Sequence, residues 1–129
     1  MNLASIIDEH PADAVAVISR GRPTTYGTLR QQVAALRGAL RDHGVMPGDA
    51  VVLLCGNSRY FVVSYLAVLG LGAVAVPLNP TSPAPEIDRE ILTVRASAVI
   101  LEPSAIAAWR EMSTDVIASL RLVLATEGH

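Results

Sequence analysis

The 129-residue sequence predicts an α/β fold: a doubly wound, mainly parallel sheet with helices on both faces, preceded by a small N-terminal hairpin. Short apolar runs rich in β-branched residues alternate with longer stretches of helical periodicity. The connections between them are short, and glycine or proline marks most of them. A chain that alternates strand and helix in this way forms parallel strands joined by right-handed crossovers. The length and the 51% hydrophobic content suffice for one domain with its own core.

The first third of the chain predicts a short helix, a hairpin and one long helix. Residues 3–10 form the short helix, which Pro11 stops. The apolar segment 14–19 and residues 24–26 pair as a hairpin across an Arg-Gly-Arg-Pro turn. Residues 28–43 form the long helix, because apolar side chains recur there at helical spacing. That apolar stripe consists of Leu29, Val33, Leu36 and Leu40.

The rest of the chain predicts four strands that alternate with helices. The strands are expected at residues 51–55, 73–76, 98–101 and 120–125. The intervening helices are expected at 60–69, from Pro83 onward with Ser82 as N-cap, and at 104–112, with a further turn at 114–119. Glycines end the helix at 60–69, and Gly72 is expected to take the positive φ that an abrupt helix-to-strand change requires.

The charge balance excludes several classes of partner and chemistry. Ten basic and twelve acidic residues give a net charge of −2, which argues against nucleic acid as a partner. All ten basic residues are arginine, so the chain has no Walker-type phosphate loop and no lysine catalysis. The single Cys55 excludes a disulfide and a thiolate zinc site, and it favours a reducing, cytoplasmic compartment.

An uncharged run at residues 60–78 is long enough to cross a membrane. Gly70, Gly72 and Pro77 interrupt the run, and its second half is short and β-branched. We therefore expect a buried helix followed by a buried strand, and no membrane span. The first ten residues contain two acidic side chains and no positive charge, which is unlike a signal peptide.

Two glycine-containing segments are candidate ligand sites. Residues 70–75 match the dinucleotide-binding spacing, but they run from helix to strand, the reverse of the order that presents a helix N-terminus to phosphate. The Gly56-Asn57-Ser58 loop has the correct order, strand then helix. Its amides could hold an anion, although capping by Asn57 or Ser58 is the favoured interpretation.

The remaining reactive side chains predict neither a metal site nor a catalytic residue. His10, His43 and His129 are scattered and lack the spacing of convergent metal ligands. Cys55 ends a strand, where a small buried thiol is common, and no base accompanies it. Trp109 is expected in the core.

A series of short motifs occurs in a fixed order along the chain. The segments are Thr25-Tyr26-x-x-Leu29, Gly44-Val45-x-Pro47-Gly48-Asp49-x-Val51, Asn57-Ser58, Tyr65-Leu66-Ala67, Gly72-Ala73-Val74-x-Val76-Pro77-Leu78-Asn79-Pro80, Pro85-Glu86-Ile87 and Ala98-Val99-Ile100. This series resembles the AMP-forming adenylating enzymes, which include acyl- and aryl-CoA synthetases, luciferases and peptide-synthetase adenylation domains. The resemblance covers roughly residues 5–126, and within that family the chain is most similar to the fatty-acid–CoA ligases.

The resemblance implies an activity that these residues do not complete. Members of the family activate a carboxylic acid with ATP and magnesium to an acyl-adenylate, release pyrophosphate, and pass the acyl group to a thiol, usually that of coenzyme A. Their phosphate loop, their magnesium-binding acidic residue and their C-terminal domain with its catalytic lysine come later in the family. Residues 1–129 are therefore expected to be the N-terminal subdomain of such a ligase, inactive alone and without a cofactor of its own.

One candidate binding residue follows from the resemblance. In members similar to acetyl-CoA synthetase, an arginine in the helix after the strand that matches Ala98-Val99-Ile100 helps to hold the phosphate of coenzyme A. Arg110 lies near that place, and a guanidinium suits phosphate. A solvated surface arginine is the competing interpretation.

Three hypotheses for the function stay open at this point. The first is a fragment of a ligase for a fatty or other carboxylic acid. The second is a free-standing truncated relative that acts as an interaction or dimerisation module. The third is an unrelated flavodoxin-like binder of a nucleotide or flavin, with its ligand at the carboxyl ends of the strands.

Self-association is also expected. The helix at 60–69 is apolar on every side, and one packing contact buries only one stripe of a helix. A surplus apolar surface finds a partner, either as a symmetric dimer or through an open sheet edge. The expected contact residues on this helix are Phe61, Val62, Tyr65 and Leu69.

Overall fold

Two sheets organise the structure, a computed structural model that describes residues 3–56 and 58–125. The strands are β1 (Val15–Ser19), β2 (Arg22–Thr25), β3 (Ala50–Leu54), β4 (Val74–Pro77), β5 (Ala98–Leu101) and β6 (Leu122–Ala125). The helices are α1 (Tyr26–Asp42), α2 (Arg59–Gly70), α3 (Ala84–Val94), α4 (Ile106–Arg110) and α5 (Thr114–Ala118), with 3₁₀ helices at Leu3–Ile7 and Pro103–Ala105.

The main sheet has the strand order β4-β3-β5-β6, and all its pairings are parallel. β1 and β2 form a separate antiparallel hairpin. Both observations confirm the predicted fold class. The inner strands β3 and β5 are buried along their whole apolar stretch from Val51 to Leu54 and from Ala98 to Leu101. Their continuous apolar sequences are typical of parallel strands covered on both faces.

Helices cover both faces of the sheet and create two cores. Val51 and Leu53 point into a core shared with α1, α2 and the N-terminal 3₁₀ helix. Val52 and Leu54 point into the opposite core, with α3, α4 and α5. This division follows from the alternation of side chains along a strand.

Several element boundaries differ from the predicted ones. Tyr26, expected in the hairpin, is the first residue of α1, because the Thr28 backbone N–H donates to the Thr25 hydroxyl at 3.2 Å and starts the helix earlier. Ser82 is not the N-cap of α3. Its backbone N–H closes a turn onto the Asn79 carbonyl at 3.1 Å, so the extended Pro83 becomes the cap residue.

The C-terminal elements are shorter than expected. The predicted helix at 104–112 is divided into a 3₁₀ turn and the five-residue α4. The turn at 114–119 is the helix α5, and the last strand begins at Leu122 rather than at residue 120. Trp109 is half-buried and packs against the core on that face, as expected.

The uncharged run at 60–78 divides into a helix and a strand, as predicted. α2 ends at Gly70, Gly72 has φ +75°, and β4 begins at Val74. Among residues 3–56 and 58–125, no helix has the length and apolar character needed to cross a membrane.

The apolar side chains of α2, expected to form a self-association contact, pack against other elements of the same chain. This helix is apolar on every side because α1, β1, β3, β4 and the N-terminal 3₁₀ helix all pack on it. Phe61, Val62 and Tyr65 are half-buried against the core, and Leu69 is half-buried too. The exposed large apolar side chains lie elsewhere and include Val74 and Val123 on the two edge strands of the main sheet.

We predict that Gly72→Val lowers the free energy of unfolding by about 1–3 kcal/mol, because a β-branched residue is strained at positive φ. The strain is conformational, since a Cβ at Gly72 would approach Pro47 only to an ordinary 3.5 Å. Urea denaturation measures the change.

Gly38→Ala is the matched control, because Gly38 lies inside α1, with its nearest neighbour at 3.9 Å from an added Cβ. That variant should be about 0.5–1 kcal/mol more stable than the parent. An unchanged urea midpoint for Gly72→Val would contradict the strain at this position.

Candidate functional site

The carboxyl end of the main sheet contains a topological switch point between β3 and β5. After β3 the chain turns to α2 on one face, and after β5 it turns to α4 on the other. In open α/β sheets, ligands bind in the crevice that opens where neighbouring loops diverge in this way. The loops that follow Leu54 and Leu101 therefore define the candidate site.

The side chain of Glu102 fills this crevice. Its carboxylate is 3% exposed and accepts three hydrogen bonds. Oε1 accepts the Gly56 backbone N–H at 2.5 Å and the Ser104 hydroxyl at 2.7 Å. Oε2 accepts the Ser58 hydroxyl at 3.1 Å. A buried carboxylate with charge-assisted bonds of this kind is a strong local link.

The parallel pairing of β3 and β5 places Glu102 there. The ladder extends one residue beyond the strand, because the Glu102 backbone N–H donates to the Leu54 carbonyl at 3.1 Å. Gly56 meets the carboxylate so closely that an added Cβ would lie 2.7 Å from Oε1. A side chain at position 56 would therefore displace the Glu102 carboxylate.

The two interpretations of the Gly56-Asn57-Ser58 loop are both revised by this geometry. Ser58 occupies the N-cap position of α2 but makes no side-chain cap bond, because its hydroxyl donates to Glu102. The amide and hydroxyl groups do hold an anion, but it is a side chain of the same chain. Asn57 lies outside the described residues.

Glu102 was missed by sequence reasoning. A glutamate after an apolar strand is common, and the residues that bind it lie 44 and 46 positions earlier. The usable signal was the position of Glu102 at the carboxyl end of a buried strand, where it could meet the loop of a neighbouring strand.

The pKa of Glu102 reflects opposing influences. Burial raises it, but hydrogen bonds from Ser104, Gly56 and Ser58 lower it, and the charge of Arg20 adds to the lowering. The net pKa lies below the usual range for a glutamate. Glu102 is therefore an anion at neutral pH.

Cys55 is buried beside this carboxylate and is not set up as a nucleophile. Burial, with a further contribution from the charge of Glu102, raises its pKa to about 12. Its Sγ lies 3.8 Å from the Ile100 carbonyl oxygen. The thiol stays protonated near neutral pH, which agrees with the predicted inert, buried cysteine.

An open cleft of about 310 Å³ adjoins the Glu102 crevice. Its lining consists of Cys55, Gly56, Phe61, Leu78, Asn79 and Pro80. The Asn79 Oδ1 accepts from both the backbone N–H and the hydroxyl of Thr81, at 2.9 and 2.7 Å. The cleft therefore offers mainly apolar walls to a ligand.

Arg110, the predicted coenzyme A contact, is exposed at the last residue of α4. It does not line the neighbouring cavity of about 370 Å³, to which Ser104 and Glu111 contribute. The structure thus places Arg110 near the loop after β5 but outside the crevice that holds Glu102.

The histidines do not converge. His10 stacks on Tyr26 with ring centroids 4.3 Å apart, and His43 Nδ1 lies 2.8 Å from the Ala39 carbonyl oxygen at the end of α1. His129 lies outside the described residues. Within the described part of the chain, no group of three or more His, Cys, Asp or Glu residues could hold a metal ion.

Comparison with known proteins identifies the family. A family model described as "AMP-binding enzyme" matches residues 4–127. The chain belongs to the AMP-binding enzyme family. This confirms the resemblance seen in the motifs, and the third hypothesis, an unrelated flavodoxin-like binder, was wrong.

Individual relatives show both the likeness and its extent. Feruloyl-CoA synthase of Amycolatopsis is 39% identical over 90 residues, which is 70% of this chain and 18% of that protein. The amide bond synthetase of Marinactinospora thermotolerans is 30% identical, with a TM-score of 0.83, over 100% of this chain and 26% of its own. The benzoate CoA ligase of Burkholderia xenovorans shares the fold, with a TM-score of 0.85 at 24% identity, over 98% and 26%.

The chain thus spans about a quarter of these solved structures and less than a fifth of feruloyl-CoA synthase. Enzymes of the AMP-binding family use ATP, magnesium and coenzyme A in general, and they bind carboxylic acids. The names of the relatives indicate different acids.

We predict that Glu102→Gln lowers the free energy of unfolding at pH 7 by about 1–3 kcal/mol, because Ser58 loses a carboxylate acceptor and the remaining hydrogen bonds lose their charge assistance. The folded-state pKa of Glu102 lies below its ordinary value of 4.5. The carboxylate therefore stabilises the fold above about pH 4.5, and that stabilisation is lost as the pH falls through the lower folded-state pKa.

Urea denaturation of parent and variant over a pH series measures this effect, with Glu111→Gln, at an exposed position, as control. The difference between parent and Glu102→Gln should shrink as the solution is acidified below that value. A difference that stays constant with pH would contradict an ionised Glu102 in the folded protein.

Proposed function

We propose that residues 1–129 are the N-terminal subdomain of an AMP-forming ligase that activates a fatty acid. In this reaction a carboxylate oxygen attacks the α-phosphate of ATP, pyrophosphate leaves, and a thiol of coenzyme A then displaces AMP from the acyl-adenylate. The observation that carries the proposal is the family match over residues 4–127. The motifs similar to those of fatty-acid–CoA ligases support the choice of acid.

This chain supplies scaffold rather than phosphate chemistry. Phosphoryl transfer depends on positive charge placed around the phosphates, and the sequence contains no lysine. The anion-binding groups at the start of α2 are already bound to Glu102. The ATP-binding groups of the proposed enzyme therefore belong to polypeptide outside these residues.

Arg110 is proposed as a contact for a phosphate of coenzyme A within this enzyme. Its exposure at the end of α4 leaves the guanidinium accessible, and guanidinium groups bind phosphate with two parallel hydrogen bonds. The cytoplasmic location expected from the single cysteine stays a prediction.

We predict that the isolated chain catalyses no exchange between ATP and pyrophosphate with any carboxylic acid. The polypeptide encoded by the whole reading frame that carries this chain should catalyse it. A panel of fatty acids, benzoate and ferulate identifies the acid, and Arg110→Ala, assayed beside the parent, should raise KM for coenzyme A without changing the exchange rate.

Two results would contradict this proposal. Exchange by the isolated chain that is abolished by substitutions within it would overturn the scaffold role. A preference of the complete polypeptide for aromatic acids would overturn the fatty-acid assignment and leave the family intact.

The sheet edges favour a second candidate, the interaction module. Val74 on β4 is 51% exposed and Val123 on β6 is 37% exposed, and both strands have an unpaired edge in the described structure. Open edges with apolar side chains promote pairing with another chain.

We predict that the isolated chain self-associates through such an edge at high concentration. Val123→Lys should shift the species toward the 13.6 kDa monomer, because a charged residue blocks edge pairing. Leu92→Lys is the control, since Leu92 is 58% exposed but lies on α3. Light scattering over a concentration series measures the mass, and a parent chain that stays monomeric throughout would contradict the module.

A further inference from the structure

The crevice at the switch point contains the features that bind an external oxyanion in other α/β proteins: a backbone N–H and a hydroxyl at the start of a helix. In this chain both groups bind the carboxylate of Glu102. We propose that Glu102 is a positioning residue: its carboxylate acts as an internal anion that holds Gly56 and Ser58 against the loop after β5 and closes this crevice to phosphate. The inference concerns this crevice alone and does not depend on the proposed ligase activity.

The distribution of hydrogen bonds supports a positioning role. Among the described residues, Oε2 accepts from the Ser58 hydroxyl. Oε1 accepts from both Gly56 and Ser104, and Ser104 lies on the same loop as Glu102. One carboxylate thereby links the loops after β3 and β5, the two central strands. A glutamine would keep one acceptor oxygen, which could still bind Gly56 and Ser104, and would place an N–H donor where Oε2 accepts from Ser58. Removing every acceptor therefore requires a variant without a carbonyl oxygen.

The close approach at Gly56 supports the same conclusion. An added Cβ at Gly56 would lie 2.7 Å from Oε1, so a side chain there would displace the carboxylate. The backbone of Glu102 is in turn fixed by its bonds to the Leu54 carbonyl at 3.1 Å and from the Ala105 N–H at 2.9 Å. Hydrogen bonds to the sheet therefore fix the backbone of Glu102, and its carboxylate in turn binds the Gly56 N–H.

Closure to phosphate follows from charge. A phosphate in this crevice would meet the negative carboxylate, and the donors it needs are already used. Within the described residues, the nearby cation that acts on the carboxylate is Arg20 of the β1–β2 turn, which favours the ionised Glu102. The Gly56 N–H and the Ser58 hydroxyl therefore have their hydrogen-bond acceptor without an external ligand.

The test is amide hydrogen exchange of the whole chain by NMR. The Gly56 N–H reports the link to Glu102. The Leu78 N–H, which donates to the Leu53 carbonyl at 2.9 Å, is the internal reference for the sheet. In Glu102→Ala, which removes both acceptor oxygens, exchange of Gly56 relative to Leu78 should rise about tenfold or more, the factor of one lost hydrogen bond. Glu111→Gln, at an exposed carboxylate, should leave the ratio unchanged.

Chemical rescue separates positioning from packing. Glu102→Ala removes the carboxylate, and added acetate should restore the slow exchange of Gly56 in this variant while leaving the parent unaffected. Added phosphate should leave Gly56 exchange unchanged in the parent. If Glu102→Ala does not fold, Glu102→Met, which has a side chain of similar length without a carbonyl acceptor, gives the same exchange measurement.

Three results would overturn the proposal. An unchanged ratio in Glu102→Ala, or an equal acceleration of both amides, would assign Glu102 a role in global stability only. If acetate fails to protect Gly56 in folded Glu102→Ala, the carboxylate itself is not what slows the exchange of this amide. Protection of Gly56 by phosphate in the parent would show that the crevice is open.

Discussion

Strand β3 must pair on both edges and bury side chains on both faces, and the rest of the structure is arranged around that requirement. Its backbone bonds to β4 on one side and β5 on the other. Val51 and Leu53 serve one core, while Val52 and Leu54 serve the opposite one. Because parallel strands need crossovers, α2 and α3 must lie on opposite faces to return the chain to both sides of β3.

The candidate site is a consequence of the same pairing. Leu54 and Leu101 are paired in the parallel ladder, so the residues that follow them leave the sheet side by side. Glu102 then lies beside the start of α2, where backbone and hydroxyl donors would otherwise be unsatisfied in a buried position. The fold therefore uses an internal carboxylate where related architectures leave room for a ligand. Burial of the neighbouring Cys55 thiol raises its pKa, and the negative charge of Glu102 adds to that rise.

Membership of the AMP-binding family explains why a well-packed domain carries so little reactive chemistry. The chain spans about a quarter of the solved relatives with which it shares its fold. A scaffold of this size can offer an apolar cleft, a rigid sheet edge and an exposed arginine to the remainder of an enzyme. Such a division of labour is compatible with phosphate-binding groups that lie on other polypeptide segments, since a site is built from loops that a rigid sheet positions.

The sequence by itself determined the order and type of the elements, because apolar periodicity and glycine positions are local. The strand at 98–101, the positive φ at Gly72 and the buried state of Cys55 were all predicted from neighbouring residues. Only the tertiary structure decided the use of Glu102 and the real function of Ser58. Their contact joins residues 44 positions apart, and it depends on which strands are neighbours and in what register. Local patterns carry no information on that choice, which is made by the packing of both cores at once.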